Sequence, residues 1–470
     1  MFQITLDELT KVVQGEIQSG PYQDDQLIRG ISIDSRNIEK GNLFLAIPGE
    51  RFDGHQFVKQ ATEKGAQAAV IAKHKKHTID QEVFNKTAVI LVEDTKKALR
   101  DIAYWHRQKF DIPAVAVTGT NGKTTTKDMI AQVLSSQFKV LKSPKSYNNL
   151  VGVPLTLFQL NSSSEALVIE LGMSSPGEIG ILTKISNPSM GVITNIGPAH
   201  LESMQSTEKI ARAKFELPDN MSTPRTLILN ADDRILAKRI KQKKKDERVI
   251  SFGIEKKADF SADRIKVNGK GYISFRVNRD VTINLRLLGI HNVYNALAAF
   301  VVGSLLKLDP QEIKQKLERH TPSELRMELV QIRDIRVIND SYNANPVSME
   351  KALETLKKIK TSGRKIAVLG DMLELGEETI DFHLELGRKV ASLGIDLLLV
   401  VGELARFIGE GAKEAGMSSG DILTFENNQQ VSFYLLENLK EGDLVLVKGS
   451  RKMKTEEVVL SLKSSYGREN

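Results

Sequence analysis

Short runs of three to five consecutive apolar residues, many of them β-branched, recur along the chain, separated by stretches with helical spacing. Ala114-Val115-Ala116-Val117, Leu167-Val168-Ile169, Gly191-Val192-Ile193-Thr194 and Thr226-Leu227-Ile228-Leu229 form one such series. A strand with one wet face alternates apolar and polar residues, so a strand that is apolar throughout must be covered on both faces. Parallel sheets wrapped by helices meet that condition. The same rhythm comes earlier, in Ile31-Ser32-Ile33, Leu43-Phe44-Leu45, Ala69-Val70-Ile71 and Val89-Ile90-Leu91-Val92. It returns later in Ile335-Arg336-Val337-Ile338, Ile366-Ala367-Val368-Leu369, Leu397 to Val401 and Leu444-Val445-Leu446-Val447. The fold class is therefore α/β, with three consecutive α/β domains over 1–112, 113–322 and 323–470, divided near Pro113 and Pro322. Between Phe260 and Leu288 the pattern changes to alternation around Asn268-Gly269 and Asn278-Arg279-Asp280, which predicts antiparallel hairpins attached to the central domain.

Composition narrows the chemistry. The 470 residues are 41% hydrophobic and 27% charged, as in a globular protein. Zero cysteines exclude disulfides, Cys-ligated zinc, iron–sulfur clusters and a thiol nucleophile, and suit a cytoplasmic location. The N-terminus reads as a capped helix: Thr5 and Glu8 form a capping box, and Leu6, Leu9, Val12 and Val13 form its apolar face. The stretch Ala296 to Leu306 has about half of the ~20 residues a membrane span needs. No membrane segment and no export are expected. The net charge of +7, from 66 Lys+Arg against 59 Asp+Glu, fits a nucleic-acid partner, an anionic substrate or a lysine-rich surface.

The segment Ala114 to Thr126 carries the most chemistry. A buried strand enters a glycine turn, and a helix with Met129, Ile130, Val133 and Leu134 on its apolar face follows. Backbone N–H groups of such a turn converge on one point and favour phosphate. Gly119 and Gly122 let the backbone approach the oxygens, with Thr120, Asn121 and Thr125 completing the loop. Lys123 would neutralise β/γ-phosphate charge, and the Thr124 hydroxyl would face Mg2+. The pattern is G-x-x-G-K-T, shorter than the common phosphate loop, and an ordinary strand–helix turn is the plain alternative. The context favours a nucleotide site, with the central domain a P-loop ATPase-type parallel sheet and the last domain Rossmann-like. A guanine-reading Asn-Lys-x-Asp is absent. A nucleic-acid-dependent ATPase stays open because of the Lys241 to Lys245 run, although that run suits a solvated helix end, and aromatics at 6% show no stacking pattern.

Gly119 to Thr124, Glu170-Leu171-Gly172-Met173, Asn195-Ile196-Gly197-Pro198-Ala199-His200-Leu201, Ala213-Lys214, His291 to Leu297, Leu325-Arg326-Met327-Glu328 and Asn339 to Pro346 together resemble the Mur ligase family. Its members are ATP-dependent amide-forming enzymes of peptidoglycan synthesis. Asp340 to Pro346, Gly370 to Gly376 and Lys145-Ser146-Tyr147-Asn148-Asn149 resemble the branch that adds D-Ala-D-Ala to a UDP-MurNAc-tripeptide. Another Mur-type amino-acid ligase is the nearest alternative.

The resemblance implies an acyl phosphate made from ATP, with Lys123, Lys214 and His200 in catalytic roles. It places Mg2+ at Thr124, Glu170, His200 and Lys214, the lysine carbamylated. Glu170 and His200 also follow strands, where α/β proteins place ligands, although each alone would suit a cap, a salt bridge or the core. Phe215-Glu216-Leu217 departs from the family's usual Gly-Glu-Ile after that lysine. Asn292 and Asn295 are expected at the adenine, and Arg326 and Asp340 at the phosphates and ribose once the last domain closes. Ser35, Arg36, Arg51, Asp53 and His55 are expected at the uridine nucleotide, and Asn148, Asn149, Asn343, Asn345, Lys448, Ser450 and Arg451 around the peptide substrates. The implied partners are UDP-MurNAc-tripeptide and D-Ala-D-Ala, with no nucleic acid and no membrane, and a monomer is expected.

Overall fold

The computed structural model describes the chain apart from Met1, residues 19–22, Asp24, Glu50, Arg51, His200, Lys243 and residues 467–470. Its main strands form three sheets. The first runs Glu16–Gln18, Ala88–Val92, Ala68–Ala72, Leu43–Leu45 and Ile31–Ser32, with only its first pair antiparallel. The second has nine strands. Seven are parallel, in the order Val140–Lys142, Ala166–Glu170, Ala114–Thr118, Met190–Ile193, Arg225–Asn230, Glu247–Gly253 and Phe260–Val267. Tyr272–Val277 and Val281–Leu288 then continue its edge antiparallel, so the expected hairpins extend the central sheet itself. The third sheet is parallel from Ile335–Asn339 through Leu444–Lys448, Lys365–Gly370 and Leu397–Val401 to Ile422–Phe425, with Glu328–Ile332 antiparallel at the opposite edge.

Every residue of Ala114–Thr118 and Ala166–Glu170 is buried, as continuous apolar runs require. Their side chains alternate between two cores: Ala114, Ala116, Leu167 and Ile169 face one, and Val115, Val117, Ala166 and Val168 the other. The second core holds the inner faces of Lys123–Leu134 and His291–Leu305; the first holds those of Glu178–Ser186 and Thr207–Asn220. Where one face of the sheet is wet, the pattern changes. Val281–Leu288 alternates buried and exposed residues before its end, and the positive φ of Asn278 (46°) and Arg279 (63°) makes the turn into it.

Pro113 does not separate two cores. Phe2, Leu99 and Ile102 share one apolar cluster with Val153, Leu157 and Phe158. The buried Arg107 guanidinium donates to the Ser186 carbonyl (2.9 Å), the Phe110 carbonyl (2.5 Å) and the Asn187 carbonyl (3.3 Å), which fastens Thr95–Arg107 to the central layer. At the N-terminus, Thr5 and Glu8 form the expected capping box. The helix Arg234–Lys241 ends in the lysine run, where Lys244 pairs with Asp219 at 3.0 Å and Lys243 lies outside the described residues. Among the described residues no helix is long and apolar enough to cross a membrane.

Replacing Arg107 by Ala should lower stability by about 2–3 kcal/mol, because buried carbonyls lose a charged donor. Urea denaturation reads this as a lower midpoint; an unchanged midpoint would mean that the two layers are held by apolar contact alone.

Candidate active site

Carboxyl ends of the central and third sheets face each other across a cavity of about 570 Å³, within the size range of ligand sites. Its floor is the loop after Ala114–Thr118. Gly119 has φ 148°, and a Cβ there would lie 1.9 Å from Thr194 Oγ1; Gly122 has φ 80°, and its Cβ would lie 2.5 Å from Asn295 Oδ1. No other residue fits either place. The loop is braced from the next strand end. Thr120 N donates to the Asn195 carbonyl and Asn121 N to Asn195 Oδ1, both at 2.9 Å, and Thr194 Oγ1 donates to the Asn121 carbonyl at 2.6 Å. Helix Lys123–Leu134 starts with no side-chain cap, so its first N–H groups can receive an anion.

Charged groups gather above this floor. Lys123 Nζ donates to the Gly119 carbonyl (2.8 Å) and the Thr120 carbonyl (3.0 Å). Burial lowers its pKa, Glu170 opposes that shift, and Arg326 adds to it. Lys214, on the inner face of Thr207–Asn220, is 4% exposed. Burial, then repulsion from Lys123, pulls its pKa well below that of an ordinary lysine. Glu170 is 1% exposed; its Oε1 accepts from Asn148 Nδ2 at 2.8 Å, while its Oε2 is buried with no hydrogen-bond partner among the described residues. A carboxylate oxygen left in that state suits a cation, and burial that disfavours the ammonium favours the amine form that reacts with an electrophile. The Glu216 carboxylate accepts from Gly177 N (2.7 Å) and Gly180 N (2.9 Å), while Phe215 and Leu217, which depart from Gly-Glu-Ile, pack into the adjoining apolar core. His200 lies outside the described residues.

The third domain closes the cavity from above. Arg326 Nη2 donates to Thr124 Oγ1 at 3.1 Å, and its guanidinium carbon lies 3.8 Å from the Tyr342 ring centroid. Asn345 and Asn121 exchange amide hydrogen bonds of 2.9 and 3.3 Å across the cleft. Asn345 also caps helix Pro346–Lys358, accepting from Ser348 N. Asn292 and Asn295 line the cavity but interact chiefly with protein. Asn295 Oδ1 accepts from Thr126 Oγ1 (3.1 Å), Asn295 Nδ2 donates to Asn292 Oδ1 (2.9 Å), and Asn292 Nδ2 donates to the Leu288 carbonyl (2.7 Å).

Several side chains expected at the ligands also bond within the protein. Lys448 is ion-paired with Asp340 Oδ2 at 2.6 Å and donates to the Asn343 carbonyl at 2.8 Å, which fixes both side chains at the cavity wall. Arg451 pairs with Glu456, and the hydroxyl of buried Ser450 accepts from Leu373 N. These contacts join three strand-end loops of the third sheet. Asn149 Oδ1 accepts from the N–H groups of Val151 and Gly152 at the start of Gly152–Leu157.

In the first domain, His55 Nδ1 donates to Asp53 Oδ1 (2.6 Å), and its Nε2 accepts from Ala72 N (2.9 Å). Both ring nitrogens therefore bond within the protein, which fixes the His55 ring and the Asp53 carboxylate in one loop. Ser35 is buried against Gln60, Arg36 is exposed and paired with Asp34, and Arg51 lies outside the described residues. Sequence reasoning gave no role to Tyr342, Ser146 or Thr194; of these, Tyr342 and Ser146 lay within motifs already singled out.

Three family profiles match the chain: "Mur ligase family, catalytic domain" over residues 27–106, "Mur ligase middle domain" over 117–303, and "Mur ligase, glutamate ligase domain" over 325–451. It is 35% identical over 466 residues to the UDP-N-acetylmuramoyl-tripeptide–D-alanyl-D-alanine ligase of Bacillus subtilis, covering 98% of this chain and 99% of that protein. Identity to the Synechocystis protein of the same name is 36%, covering 93% of each. Among solved structures, MurF from Acinetobacter baumannii is similar with TM-score 0.88 and 31% identity over 99% of both chains. The MurF ligase of Thermotoga maritima in complex with ADP has TM-score 0.82 and 27% identity, covering 94% of this chain and 99% of that one.

Two histidines, the buried His320 and the half-buried His291 with its enclosed Nδ1, make the fold sensitive to acid. Burial, opposed by Asp340, pulls His291 at the cavity wall down to about 4; burial, opposed by Asp128, does the same to His320. His291 Nδ1 and His320 Nε2 have no partner among the described residues. Above the unfolded value near 6.5 both states are neutral and this contribution to stability is complete. As pH falls toward 4 the unfolded chain binds protons that the folded chain refuses, removing about 1.4 kcal/mol per pH unit for each histidine. Denaturation midpoints at pH 7, 6 and 5 should fall, and His320→Gln should make that fall shallower; an unchanged slope would refute the assignment.

Proposed function

The chain belongs to the Mur ligase family, among the UDP-N-acetylmuramoyl-tripeptide–D-alanyl-D-alanine ligases, and on that premise we propose how its residues carry out the reaction. The protein is an ATP-dependent ligase that joins D-Ala-D-Ala to UDP-MurNAc-tripeptide, giving the UDP-MurNAc-pentapeptide, ADP and phosphate in peptidoglycan precursor synthesis. The observation that carries the chemistry is the clustering of Lys123, Lys214 and Arg326 beside Glu170 over the phosphate loop.

A tripeptide carboxylate oxygen attacks the γ-phosphorus, and the bond from that phosphorus to the bridging oxygen of ADP breaks. The dipeptide amine then attacks the acyl carbon, the carbon–oxygen bond to phosphate breaks, and the amine nitrogen loses a proton. Two anions must meet in the first step, so Lys123 and Arg326 cancel their repulsion at the phosphates. The third domain covers the cavity and shields the acyl phosphate from water.

Thr124, Glu170 with its unpartnered Oε2, and, by family resemblance, His200 and Lys214 would hold Mg2+. Bound there, it would supply further charge neutralisation and polarise the phosphoryl oxygens. A cation at Lys214 opposes this role, and its lowered pKa supports the carbamylated form. The neutral Nζ bonds to the carbon of CO2, one proton leaves, and a carboxylate replaces a repelling ammonium.

We assign 1–112 to the UDP-sugar, 113–322 to ATP and 323–470 to the dipeptide. Ser35, Arg36 and Arg51 remain the candidates of the first domain. Asn343 and Arg451, at the exposed rim, remain those of the last. Adenosine lies along Asn292, Asn295 and Asp340. Both walls of the cavity come from one chain, which suits a monomer, and the use of ATP suits the cytoplasm.

Phosphate release should require both the UDP-linked tripeptide and D-Ala-D-Ala; stimulation by DNA or RNA in their place would overturn the ligase reading. Lys123→Ala should lose about 3 kcal/mol or more of transition-state stabilisation, a fall in kcat above about a hundredfold. Lys214→Ala should fall on a similar scale and recover partly with short carboxylic acids, as a missing carboxylate predicts. Full activity of Lys214→Ala without additives would remove the carbamate from the mechanism.

A further inference from the structure

We propose that Tyr342 is a positioning residue that aims the Arg326 guanidinium at the terminal phosphate, with Ser146 as its anchor on the central domain. The proposal rests on the reading of the cavity as an ATP site.

Arg326 has an unusual backbone setting. Its neighbours Leu325 and Met327 both have positive φ, 62° and 50°, in a region that side-chain-bearing residues seldom occupy. Tyr342 N donates to the Leu325 carbonyl and Met327 N to Asp340 Oδ1, both at 3.1 Å, so this bent segment is pinned on either side of Arg326 to 340–342. The guanidinium lies over the Tyr342 ring at 3.8 Å while one of its nitrogens reaches Thr124 Oγ1.

Tyr342 is itself held. Its hydroxyl is 2.5 Å from Ser146 Oγ. The segment before Ser146 is tied by Lys127, whose ammonium is buried and donates to the carbonyls of Ser143 (2.9 Å) and Lys145 (2.8 Å). Lys127 stands one turn after Lys123 and Thr124 in the same helix. The contacts therefore form a closed ring: from the phosphate-loop helix through Lys127 to the 143–146 segment, across to Tyr342, on to Arg326, and back to Thr124.

An aromatic platform suits this place for an electrostatic reason. Lys123 and Arg326 are like charges at one loop, Arg326 reaching Thr124 next to Lys123, so Arg326 needs an attractive partner to remain there. A carboxylate would attract it but cancel the charge the phosphates require. The face of a tyrosine attracts a guanidinium and leaves its charge and forward N–H donors available.

The test separates the ring face from the hydroxyl. Tyr342→Leu removes both, Tyr342→Phe keeps the face, and Ser146→Ala removes only the anchor. Affinities for ADP and for a non-hydrolysable ATP analogue are measured by calorimetry, with kcat and KM from phosphate release and thermal midpoints as the folding control. Tyr342→Leu should weaken the analogue and lower kcat by about tenfold, with ADP affinity and the KM for D-Ala-D-Ala within about twofold. Tyr342→Phe and Ser146→Ala should each cost about two- to threefold in kcat, and the double variant no more than either, because they break one bond.

Equal weakening of ADP and the analogue in Tyr342→Leu, wild-type kcat in that variant, or multiplying losses in the double variant would each overturn the proposal. If Tyr342→Leu does not fold, the Tyr342→Phe and Ser146→Ala cycle decides alone. A wild-type protein that binds neither nucleotide would overturn the ATP reading itself, and is distinguished by failing before any variant is compared.

Discussion

Repulsion among cations gathered at one loop is the constraint around which this site is built. Lys123 and Lys214 are each depressed in pKa by burial and by a neighbouring positive charge, and Arg326 extends from the third domain toward the same place. Close to them, Glu170 has one oxygen engaged by Asn148 and the other without a partner among the described residues. Such a cavity is poorly compensated alone and well compensated with a polyanion and a divalent cation. Holding like charges together is a cost that packing elsewhere must offset.

Two parallel sheets supply that packing. A buried strand projects its carboxyl end into a loop without exposing its own polar backbone, so Ala114–Thr118, Ala166–Glu170 and Met190–Ile193 deliver the phosphate loop, Glu170 and the Thr194-Asn195 brace to one edge. The third sheet does the same with Asp340 and Ser450 beyond its own strands. Hydrogen bonds among its loops, such as Lys448 to Asp340 and Leu373 N to Ser450 Oγ, make that edge rigid before any ligand arrives. Rigidity there matters because Arg326 and Asn345 must meet the phosphate loop at fixed positions.

What could be read from the sequence depended on the range of the interaction. Doubly covered strands, the hairpins around Asn268 and Asn278, the Thr5 capping box and the glycines at 119 and 122 follow from residues within one or two turns, and these agree with the structure. Arg326, Asp340, Asn292 and Asn295 were brought to the cavity only through family resemblance. The bonds that some expected ligand residues make within the protein depend on distant partners. His55 has its second nitrogen against Ala72, and Lys448 its charge against Asp340, more than a hundred residues away in sequence. The shared core across Pro113 is a further case, since a proline marks the end of an element and says nothing of which layers meet. Tyr342 lay inside a recognised motif, yet its stacking on Arg326 has no sequence signature.

Asn345 shows why closure and nucleotide binding should be one event. Its Oδ1 caps helix Pro346–Lys358 by accepting from Ser348 N, and also accepts from Asn121 of the phosphate loop. Asn121 in turn has its N–H on Asn195 and its carbonyl bonded by Thr194, so it cannot rotate without disturbing the brace. A shift of the loop around phosphate is therefore transmitted to the cap of a third-domain helix through a reciprocal amide pair, with no flexible side chain between them. Parts this tightly joined move as units, which makes a domain swing the response open to the molecule when the loop changes occupancy.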